Sequence, residues 1–585
     1  MTRRCLAALV AVAALAPATS APAATHRTWH VDADAARPGD GTAARPFATL
    51  AAVEAASRPG DRIVVGPSLT ALDGGLRLQR GQRVQGLGDP HGGPGVPAAR
   101  ITNTAAARLD GDAVRLADHT AVRGLRIEAP RRGGIYGLDV ARATVTGNDV
   151  SGHNVSCTPG FLIPPFAVPT TVPGVGVPIR DGLHNGWAAI MVDAARGTTN
   201  VTVDRNRVHD ADCGDGIDVR ISGDAQGRVR IRGNDVRELR EGPDFESVLA
   251  IGLQTRDRAR LVAVLDDNRQ RGLGNDEDLG VGPTGADSEG VFVNPVGASR
   301  LRATITRNDY RHTRGRGGFS ANGLEVVAMG EGSRGLVTVR DSHFSGTPGD
   351  VLELLALGTG ARLALRLERV SATGSTGFAG SGFGDTVAIP GNNGDCLIAA
   401  SGGARNAIDL RVRDSVLRGC ANNGLTFGAA VANGRGPSAS LDGEITGTTI
   451  RANRGAGLRV GNVAGLDRLA LKVQDSDLSG NRGATSSPAN VVAEDLGTTG
   501  RATIDLGGGP LGSTGGVCLG GGPLDVALVR YDVHLRHAWW GRRGGPATGR
   551  TLAVGGRLDA RQPLDAAPAH CGRDAPLSGR AAPSR

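Results

Sequence analysis

Short stretches in which β-branched residues alternate with polar residues recur along most of the chain. Val201-Thr202-Val203 is one such stretch, and Ile217-Asp218-Val219-Arg220-Ile221 is a second. Alternation at every second position predicts a β-strand with one apolar face and one polar face. A turn at Asn206 and the loop HDADCGDG separate the two strands. The pattern therefore predicts a unit of short strands joined by turns.

Similar units follow downstream, at intervals of about 27 to 46 residues. Examples are VRIRGNDV with VLAIGLQ, ATITRNDY with NGLEVVA, and LRVRDSVL with NGLTFGA. Because such a unit cannot bury its apolar face alone, the units are expected to stack as coils that hydrogen-bond to their neighbours. Matching turn positions carry asparagines, which we expect to point inward and bond from coil to coil: Asn206, Asn234, Asn268 and Asn308.

This stacked arrangement resembles the right-handed parallel β-helix (pectin-lyase-like) superfamily, over roughly residues 30 to 545. The resemblance implies an all-β fold, a single-stranded right-handed parallel β-helix, but by itself it specifies no activity. The segment TWHVDADAARPGDGTAARPFATL resembles the start of many secreted β-helix proteins. Thr49 to Ser57 is predicted to form a helix that caps the open end of the solenoid.

The chain is accordingly divided into four regions. Residues 1–24 are predicted to be a signal peptide, since Arg3 and Arg4 precede an apolar run and then a segment of small residues. Residues 25–75 are expected to form the N-terminal cap and first coil. The β-helix itself is predicted at 76–545, with a long loop at 158–186, and a C-terminal tail at 546–585.

Six cysteines remain after the predicted signal peptide, and an even number in an exported chain indicates disulfides. Cys396 and Cys420 lie about one coil apart, so we expect them to pair. Pairing of Cys157 with Cys213 and of Cys518 with Cys571 then follows by elimination, with free buried thiols as the alternative. None of the spacings is typical of a zinc site.

The formal net charge is +8, but the arginines are dispersed along the sequence without a basic run. A nucleic-acid partner is therefore not expected, because a footprint would need basic residues gathered on one face. Beyond the leader no apolar run approaches the ~18 residues of a membrane span. We expect a secreted monomer whose partner is a polysaccharide or a cell-surface glycan.

The long loop at 158–186 contains many prolines with apolar residues between them, so it cannot pair as inner strands. One interpretation is a lid or wall over a groove, and the other is a surface loop without function. The loop precedes a series of strands whose outward positions form two rows. The first row includes Met191, Asp218, Phe292, Glu325, Glu353 and Ile398, and the second includes Asp193, Arg220, Gln254 and Asn294.

Five charged residues in these rows are the candidate catalytic residues: Asp193, Asp218, Arg220, Glu325 and Glu353. They are expected on one exposed sheet face beside the long loop. Hydrolysis of a glycan needs paired carboxylates, and Glu325 and Glu353 on adjacent coils would be close enough to share a proton. Elimination needs a basic residue, for which Arg220 beside Asp193 and Asp218 is the candidate. A solvated face without catalytic function is the alternative.

GDCLIAASG followed by ANNGLTFGAA resembles the polygalacturonase arrangement, but Gly394 and Asn423 stand where an aspartate and a histidine are needed. Polygalacturonase catalysis is therefore not carried over. No cofactor is predicted. Calcium is left open, since the acidic loop Asn275-Asp276-Glu277-Asp278 could hold a cation but lacks the spacing of a calcium loop.

The sequence thus predicts a secreted β-helix protein that binds or acts on polysaccharide, as a lyase or a glycoside hydrolase. The alternative is a non-catalytic surface, adhesion or carbohydrate-binding rod.

Overall fold

The structure is a computed structural model of the 585-residue chain. It describes residues 26–35, 39–93, 95–164, 166–169, 176–179, 182–242, 245, 247–274, 287–312, 320–377, 394–430, 439–462, 466–483, 488–495 and 501–573. The predicted signal peptide and the acidic loop at 275–278 lie outside these residues.

Within the described residues, three long sheets run side by side through the molecule. Sheet 1 contains β3 (Leu76–Arg77), β6 (Val114–Arg115), β9 (Ile135–Leu138), β12 (Pro159–Ile163), β15 (Leu183–Gly186), β16 (Ile190–Ala194), β19 (Ile217–Ile221), β22 (Ser247–Thr255), β25 (Asp287–Pro295), β28 (Ser320–Met329), β31 (Leu352–Leu357), β34 (Leu397–Gly402), β37 (Leu425–Ala430), β40 (Leu458–Asn462), β42 (Ala489–Asp495), β44 (Leu524–Val529) and β46 (Thr551–Val554).

Sheet 2 contains β1 (Thr28–Val31), β2 (Arg62–Val65), β4 (Arg83–Gly86), β7 (Thr120–Arg123), β10 (Arg142–Thr146), β17 (Thr198–Asp204), β20 (Gln226–Arg232), β23 (Arg260–Asp266), β26 (Arg300–Thr306), β29 (Arg334–Arg340), β32 (Arg362–Glu368), β35 (Ala407–Arg413), β38 (Ala439–Thr446), β41 (Leu466–Gln474), β43 (Arg501–Asp505), β45 (Val533–His534) and β47 (Leu558–Asp559). Sheet 3 contains β5 (Arg100–Ile101), β8 (Arg126–Glu128), β11 (Asp149–Ser151), β18 (Arg207–Ala211), β21 (Asp235–Leu239), β24 (Arg269–Leu273), β27 (Asp309–Arg311), β30 (His343–Ser345), β33 (Ser371–Thr373), β36 (Val416–Arg418) and β39 (Thr449–Arg451).

Through the central coils the chain visits sheets 1, 2 and 3 in turn, and each strand pairs in parallel with the strand one coil before. β16, β17 and β18 form one such coil, and β19, β20 and β21 form the next. The central coils stack in register, as where Val201 of β17 lies opposite Val229 of β20. The pairing of β38 with β41 shifts by one residue between Ala439 and Ser440. The antiparallel pair β12 and β15 is an exception within sheet 1. The protein is therefore a parallel β-helix, as predicted.

Side-chain alternation decides which residues fill the interior. In β20 the burial alternates strictly, with Val229 and Ile231 inside and Arg228, Arg230 and Arg232 exposed. Valine, isoleucine, leucine and alanine make up most of the interior, which is continuous from the cap to the last coils. Each fully buried valine, isoleucine or leucine contributes about 1.5 to 3 kcal/mol relative to an exposed one.

The predicted asparagine ladder is present between sheets 2 and 3. Asn148 precedes it, and the Nδ2 atoms of Asn148, Asn206 and Asn234 each donate to the Oδ1 atom of the next asparagine, at 2.9, 3.0 and 3.0 Å, ending at Asn268. All four predicted asparagines are buried. Asn308 departs from the pattern, because it exchanges hydrogen bonds with Gln270 and donates its backbone N–H to Ser342 Oγ.

The predicted cap at the N-terminal end of the solenoid is present, whereas the C-terminal end lies beyond the predicted boundary. Helix α1 spans Leu50–Ala56, within the predicted region from Thr49 to Ser57. Thr49 is its N-terminal cap, with a side chain that accepts from Ala52 N, and Ser57 is its C-terminal cap. Leu50 and Val53 of α1 join the core. At the other end the predicted boundary at 545 is too early. β46 pairs with β44 and β47 pairs with β45, so coil pairing continues to Asp559 within the region predicted as a tail.

The protein contains three disulfides, and they are the three predicted pairs. Cys396 and Cys420 have Cα atoms 5.5 Å apart. The corresponding distances are 5.3 Å for Cys157–Cys213 and 5.7 Å for Cys518–Cys571. No helix in the described ranges is long and apolar enough to cross a membrane.

Candidate functional site

The five candidate residues lie on sheet 1, and the strand register places them as the alternation predicts. Asp193 of β16 lies opposite Arg220 of β19. Glu325 of β28 lies opposite Glu353 of β31. The first predicted row is continuous from Met191 through Asp218, Gly252, Phe292, Glu325, Glu353, Ile398 and Thr426 to Arg459.

The expected exposure of this face is wrong. Asp218 is 0% exposed and Glu353 is 3% exposed, whereas Arg220 and Glu325 remain partly accessible. A second apolar cluster covers the outward side of the sheet, and it includes Met191, Phe292 and Ile398 from the strands themselves. Apolar side chains on the outward face are stable only when other residues cover them. The residues that cover them also shield the neighbouring charged side chains from water.

Part of the cover comes from the long loop. Its strands β12 and β15 pair antiparallel, and so do β13 (Phe166–Pro169) and β14 (Gly176–Ile179). Phe161 and Ile163 of β12 are buried in the second apolar cluster. Between the two interpretations of the loop, this packing favours a wall against sheet 1.

Asp193 and Arg220 form an ion pair beneath this wall. Arg220 Nη2 lies 2.5 Å from Asp193 Oδ2, and Arg220 Nε lies 3.2 Å from Asp193 Oδ1. The guanidinium also lies over the Phe161 ring, 5.9 Å from its centre. Burial acts to lower the pKa of Arg220, but the hydrogen bond and charge of Asp193 outweigh it and raise the pKa. A guanidinium held in its charged form cannot remove a proton, so the geometry argues against Arg220 as the base of an elimination.

Asp218 belongs to a second group, a buried pair of carboxyls with Asp215. Burial raises the pKa of Asp218 to about 7. Burial and the neighbouring Asp218 raise the pKa of Asp215 well above its usual range. Asp215 Oδ1 accepts the backbone N–H of Leu249 at 2.8 Å, and its carbonyl contacts His153 Nε2 at 2.7 Å. The pair is fully buried, so its geometry suits a role in packing the coils rather than contact with a polymer.

Asp215 is one of a row of polar residues that sequence reasoning did not identify. In this row a side-chain oxygen accepts the backbone N–H at the same position of the next coil. Asp350 accepts from Asp395 at 2.6 Å, Asp395 from Asn423 at 2.7 Å, and Asn423 from Ala456 at 2.9 Å. The sequence signal that could have identified this row is an Asp or Asn two residues before a strand of sheet 1 begins, as at Asp215, Asp350, Asp395 and Asn423. Asp395, which follows Gly394 in the motif, and Asn423, which stands at its histidine position, thus bridge coils.

The third group surrounds Glu325 and contains both predicted glutamates. Asn322 Nδ2 donates to Glu353 Oε2 at 2.8 Å and approaches Glu325 Oε2 at 3.4 Å. Glu325 also hydrogen-bonds to Glu289, which in turn accepts from Ser247 Oγ at 3.2 Å. We name Glu289, Asn322, Glu325 and Glu353 the glutamate cluster. Glu289 and Asn322 were missed because both stand outside the two predicted rows.

Burial raises the pKa of Glu325, against hydrogen bonds from Glu289 and Asn322 that act to lower it. Glu325 is the partly exposed member of the cluster, whereas Glu289, Asn322 and Glu353 are buried. A carboxyl whose pKa is raised by burial, next to further carboxyls, is suited to general acid catalysis.

The described residues provide one group of three side chains with metal-ligating atoms near one another, Cys518, His570 and Cys571. Both cysteines are joined in a disulfide, so their sulfur atoms are not available as thiolates.

Comparisons with known proteins are sparse. No family model matches the chain, and no curated protein matches it. Among solved structures, a rhamnogalacturonan lyase is similar over 67% of this chain and 82% of its own, with 12% sequence identity and a TM-score of 0.29. A likeness of this size does not identify a shared function.

Proposed function

We propose that the protein is a secreted β-helix protein that cleaves polysaccharide by hydrolysis, with Glu325 as the general acid. The observation that carries the proposal is the glutamate cluster. In it a partly exposed carboxyl with a raised pKa lies next to two buried carboxyls on the outward side of sheet 1.

Hydrolysis of a glycosidic bond uses one carboxylic acid to protonate the leaving oxygen and one carboxylate as nucleophile or base. Glu325 has the raised pKa that the acid needs. Glu353 lies opposite it one coil away, a backbone spacing of about 4.8 Å. Side chains that leave paired positions in parallel keep about this spacing, so we expect carboxyl groups closer to the ~5 to 5.5 Å of retaining enzymes than to the wider separation of inverting ones.

Export is part of the proposal. Its support is the segment at 1–24, which has the sequence pattern of a signal peptide, and the three disulfides, which are typical of proteins in oxidising compartments.

A non-catalytic carbohydrate-binding protein is the second candidate function. The observation in its favour is the burial of Asp218 and Glu353 and the use of Asp193 in an ion pair with Arg220. Carboxylates engaged in this way support the coil stack without contacting a ligand.

The test is to incubate the purified protein with a panel of polysaccharides and to assay both new reducing ends and unsaturated products. We expect reducing ends without unsaturation. Glu325→Gln should abolish cleavage. The control Glu494→Gln changes another partly buried carboxyl of sheet 1, one that pairs with Arg459 at 3.2 Å, and it should retain cleavage. Full activity in Glu325→Gln would refute the catalytic assignment, and binding without cleavage by the wild type would favour the second candidate.

A further inference from the structure

The outward face of sheet 2 carries a concentration of arginines. Over the six consecutive strands β20, β23, β26, β29, β32 and β35, the outward positions hold twelve arginines and three carboxylates. We name this surface the arginine face. Its net charge of +9 exceeds the formal charge of +8 of the entire chain, so the excess positive charge of the protein is concentrated here.

The register of the strands stacks these arginines closely. Arg260, Arg300, Arg334 and Arg362 lie directly opposite one another on four successive coils. All four are exposed. Adjacent coils are about 4.8 Å apart, and like charges at that distance repel, so the row is unfavourable for the folded protein on its own.

Few of these arginines are neutralised by the protein. Arg232 pairs with Asp204, Arg340 with Glu368, and Arg411 with Asp409. Within the described ranges, the other nine have no hydrogen bond or ion pair through the guanidinium group: Arg228, Arg230, Arg260, Arg300, Arg302, Arg334, Arg362, Arg366 and Arg413. Free guanidinium groups are the preferred partners of carboxylate and sulfate oxygens, which they bind through two parallel hydrogen bonds.

The face also has a shaped groove. The groove has a volume of about 570 Å³, and its arginines outnumber its carboxylates by five to two. Its polar lining is Arg302, Arg340, Arg366, Arg411, Arg413, Thr304, Thr338, Thr446, Glu368 and Glu444. The groove crosses five coils from β26 to β38, a length of about 19 Å. Threonine hydroxyls beside guanidinium groups can hydrogen-bond to sugar hydroxyls while the arginines bind acidic groups.

We propose that the arginine face binds a linear acidic polysaccharide, one that carries carboxylate or sulfate groups along its length. The inference goes beyond the proposed hydrolysis and does not depend on it, because the glutamate cluster is on sheet 1 and the arginine face is on sheet 2. Charge complementarity requires a polyanion, and the groove requires an extended chain rather than a single ion.

Two observations favour a glycan over a nucleic acid. None of the outward positions of the six strands holds an aromatic residue, so the face has no platform on which bases could stack. The three disulfides also indicate an oxidising compartment outside the cytosol.

The test compares the full chain with two triple variants by affinity electrophoresis or calorimetry, using polygalacturonate, a sulfated glycan, neutral dextran and duplex DNA as probes. Arg300→Gln, Arg334→Gln and Arg362→Gln together remove the centre of the stacked row. The matched control, Arg269→Gln, Arg454→Gln and Arg530→Gln, removes the same charge from exposed arginines elsewhere.

We expect salt-sensitive binding of an acidic polysaccharide, no binding of dextran, and a loss of affinity of about tenfold in the row variant against less than about twofold in the control. Thermal unfolding at the wild-type temperature or above would show that the row variant folds. Binding of polygalacturonate would show that the face recognises carboxylate groups, and binding of the sulfated glycan would show that it recognises sulfate groups. The proposal is overturned if neither binds, if both triple variants lose affinity equally, or if duplex DNA binds more tightly than either glycan. Because cleavage is not measured, failure here leaves the proposed hydrolysis untouched.

Discussion

Replacing Asn206 by alanine should destabilise the coils around it, because its side chain makes four hydrogen bonds to the neighbouring coils. Asn206 Oδ1 accepts the backbone N–H of Asn148 at 3.0 Å and Asn148 Nδ2 at 2.9 Å. Its Nδ2 donates to Val145 O at 3.1 Å and to Asn234 Oδ1 at 3.0 Å. All four hydrogen bonds are buried, so water cannot replace the lost partners.

The four bonds are not of equal value. Asn148 Nδ2 keeps a hydrogen bond to Val122 O, and Asn234 Oδ1 keeps the backbone N–H of residue 206. The backbone N–H of Asn148 loses its acceptor, which costs about 1 to 3 kcal/mol. Each of the other three bonds contributes about 0.5 to 1.5 kcal/mol. The total for Asn206→Ala is therefore about 2.5 to 7.5 kcal/mol.

The chain itself provides the control, because serine replaces asparagine at ladder positions in later coils. Ser342 Oγ accepts the backbone N–H of Asn308 at 3.1 Å and donates to Arg340 O at 2.8 Å. Asn206→Ser should therefore keep an acceptor for the Asn148 N–H, and we expect it to cost about 1 to 3 kcal/mol.

Hydrogen exchange is the appropriate assay, since a long solenoid need not unfold in a single cooperative step. Protection of the Asn148 amide should fall at least about 100-fold in Asn206→Ala, and much less in Asn206→Ser. Protection of the Asn453 amide, which donates to Asn481 Oδ1 in a second ladder many coils away, should not change. Equal losses of protection in the two variants would refute the reasoning. They would show that the unpaired N–H of Asn148 is not the largest contribution to the destabilisation.

Two further predictions concern the buried acids and the disulfides. The raised pKa of Asp218, about 7 in the folded protein, means that the folded state holds its proton more tightly than the unfolded chain. Stability should therefore fall as pH rises from about 4 to 7, by about 1.4 kcal/mol per unit of pKa shift. Asp218→Asn should stabilise the protein at pH 8 and have little effect at pH 4 in thermal unfolding, and a stabilisation that is the same at both pH values would contradict this. Replacing Cys396 and Cys420 by serine opens a loop with a sequence separation of 24 residues. The free energy of unfolding should fall by about 3 kcal/mol in denaturant unfolding. An unchanged denaturant midpoint would show that the cross-link does not constrain the unfolded chain.

The sequence allowed the architecture to be predicted because the solenoid is a local pattern repeated many times. Alternation at Ile217, Val219 and Ile221 decides which side chains face inward, and a shift of one residue would reverse every one of them. The rows on sheet 1 could therefore be written down correctly, together with the asparagine positions. The boundary at 545 was misplaced because β46 and β47 are short and their burial does not alternate.

The candidate site was harder to predict, because alternation tells which way a side chain points but not what lies over it. Asp218 points away from the interior and is still fully buried, since Phe161 from the long loop packs against the same face. No periodic signal in the strands encodes this cover. Glu289 and Asn322 were missed for a related reason, since their positions precede the alternating core of each strand.

The arginine face shows how far dispersal along the sequence can differ from dispersal in space. Arg300 and Arg334 are separated by one complete coil of the chain, so no window of the sequence contains a basic run, and on that ground a concentrated basic surface was not expected. The register places the two residues directly opposite each other. Stacking turns a single arginine per repeat into a continuous charged row, just as it turns one asparagine per repeat into a ladder. The asparagines satisfy one another, whereas the arginines cannot, and that difference is why the ladder stabilises the fold and the arginine face points to a partner outside it.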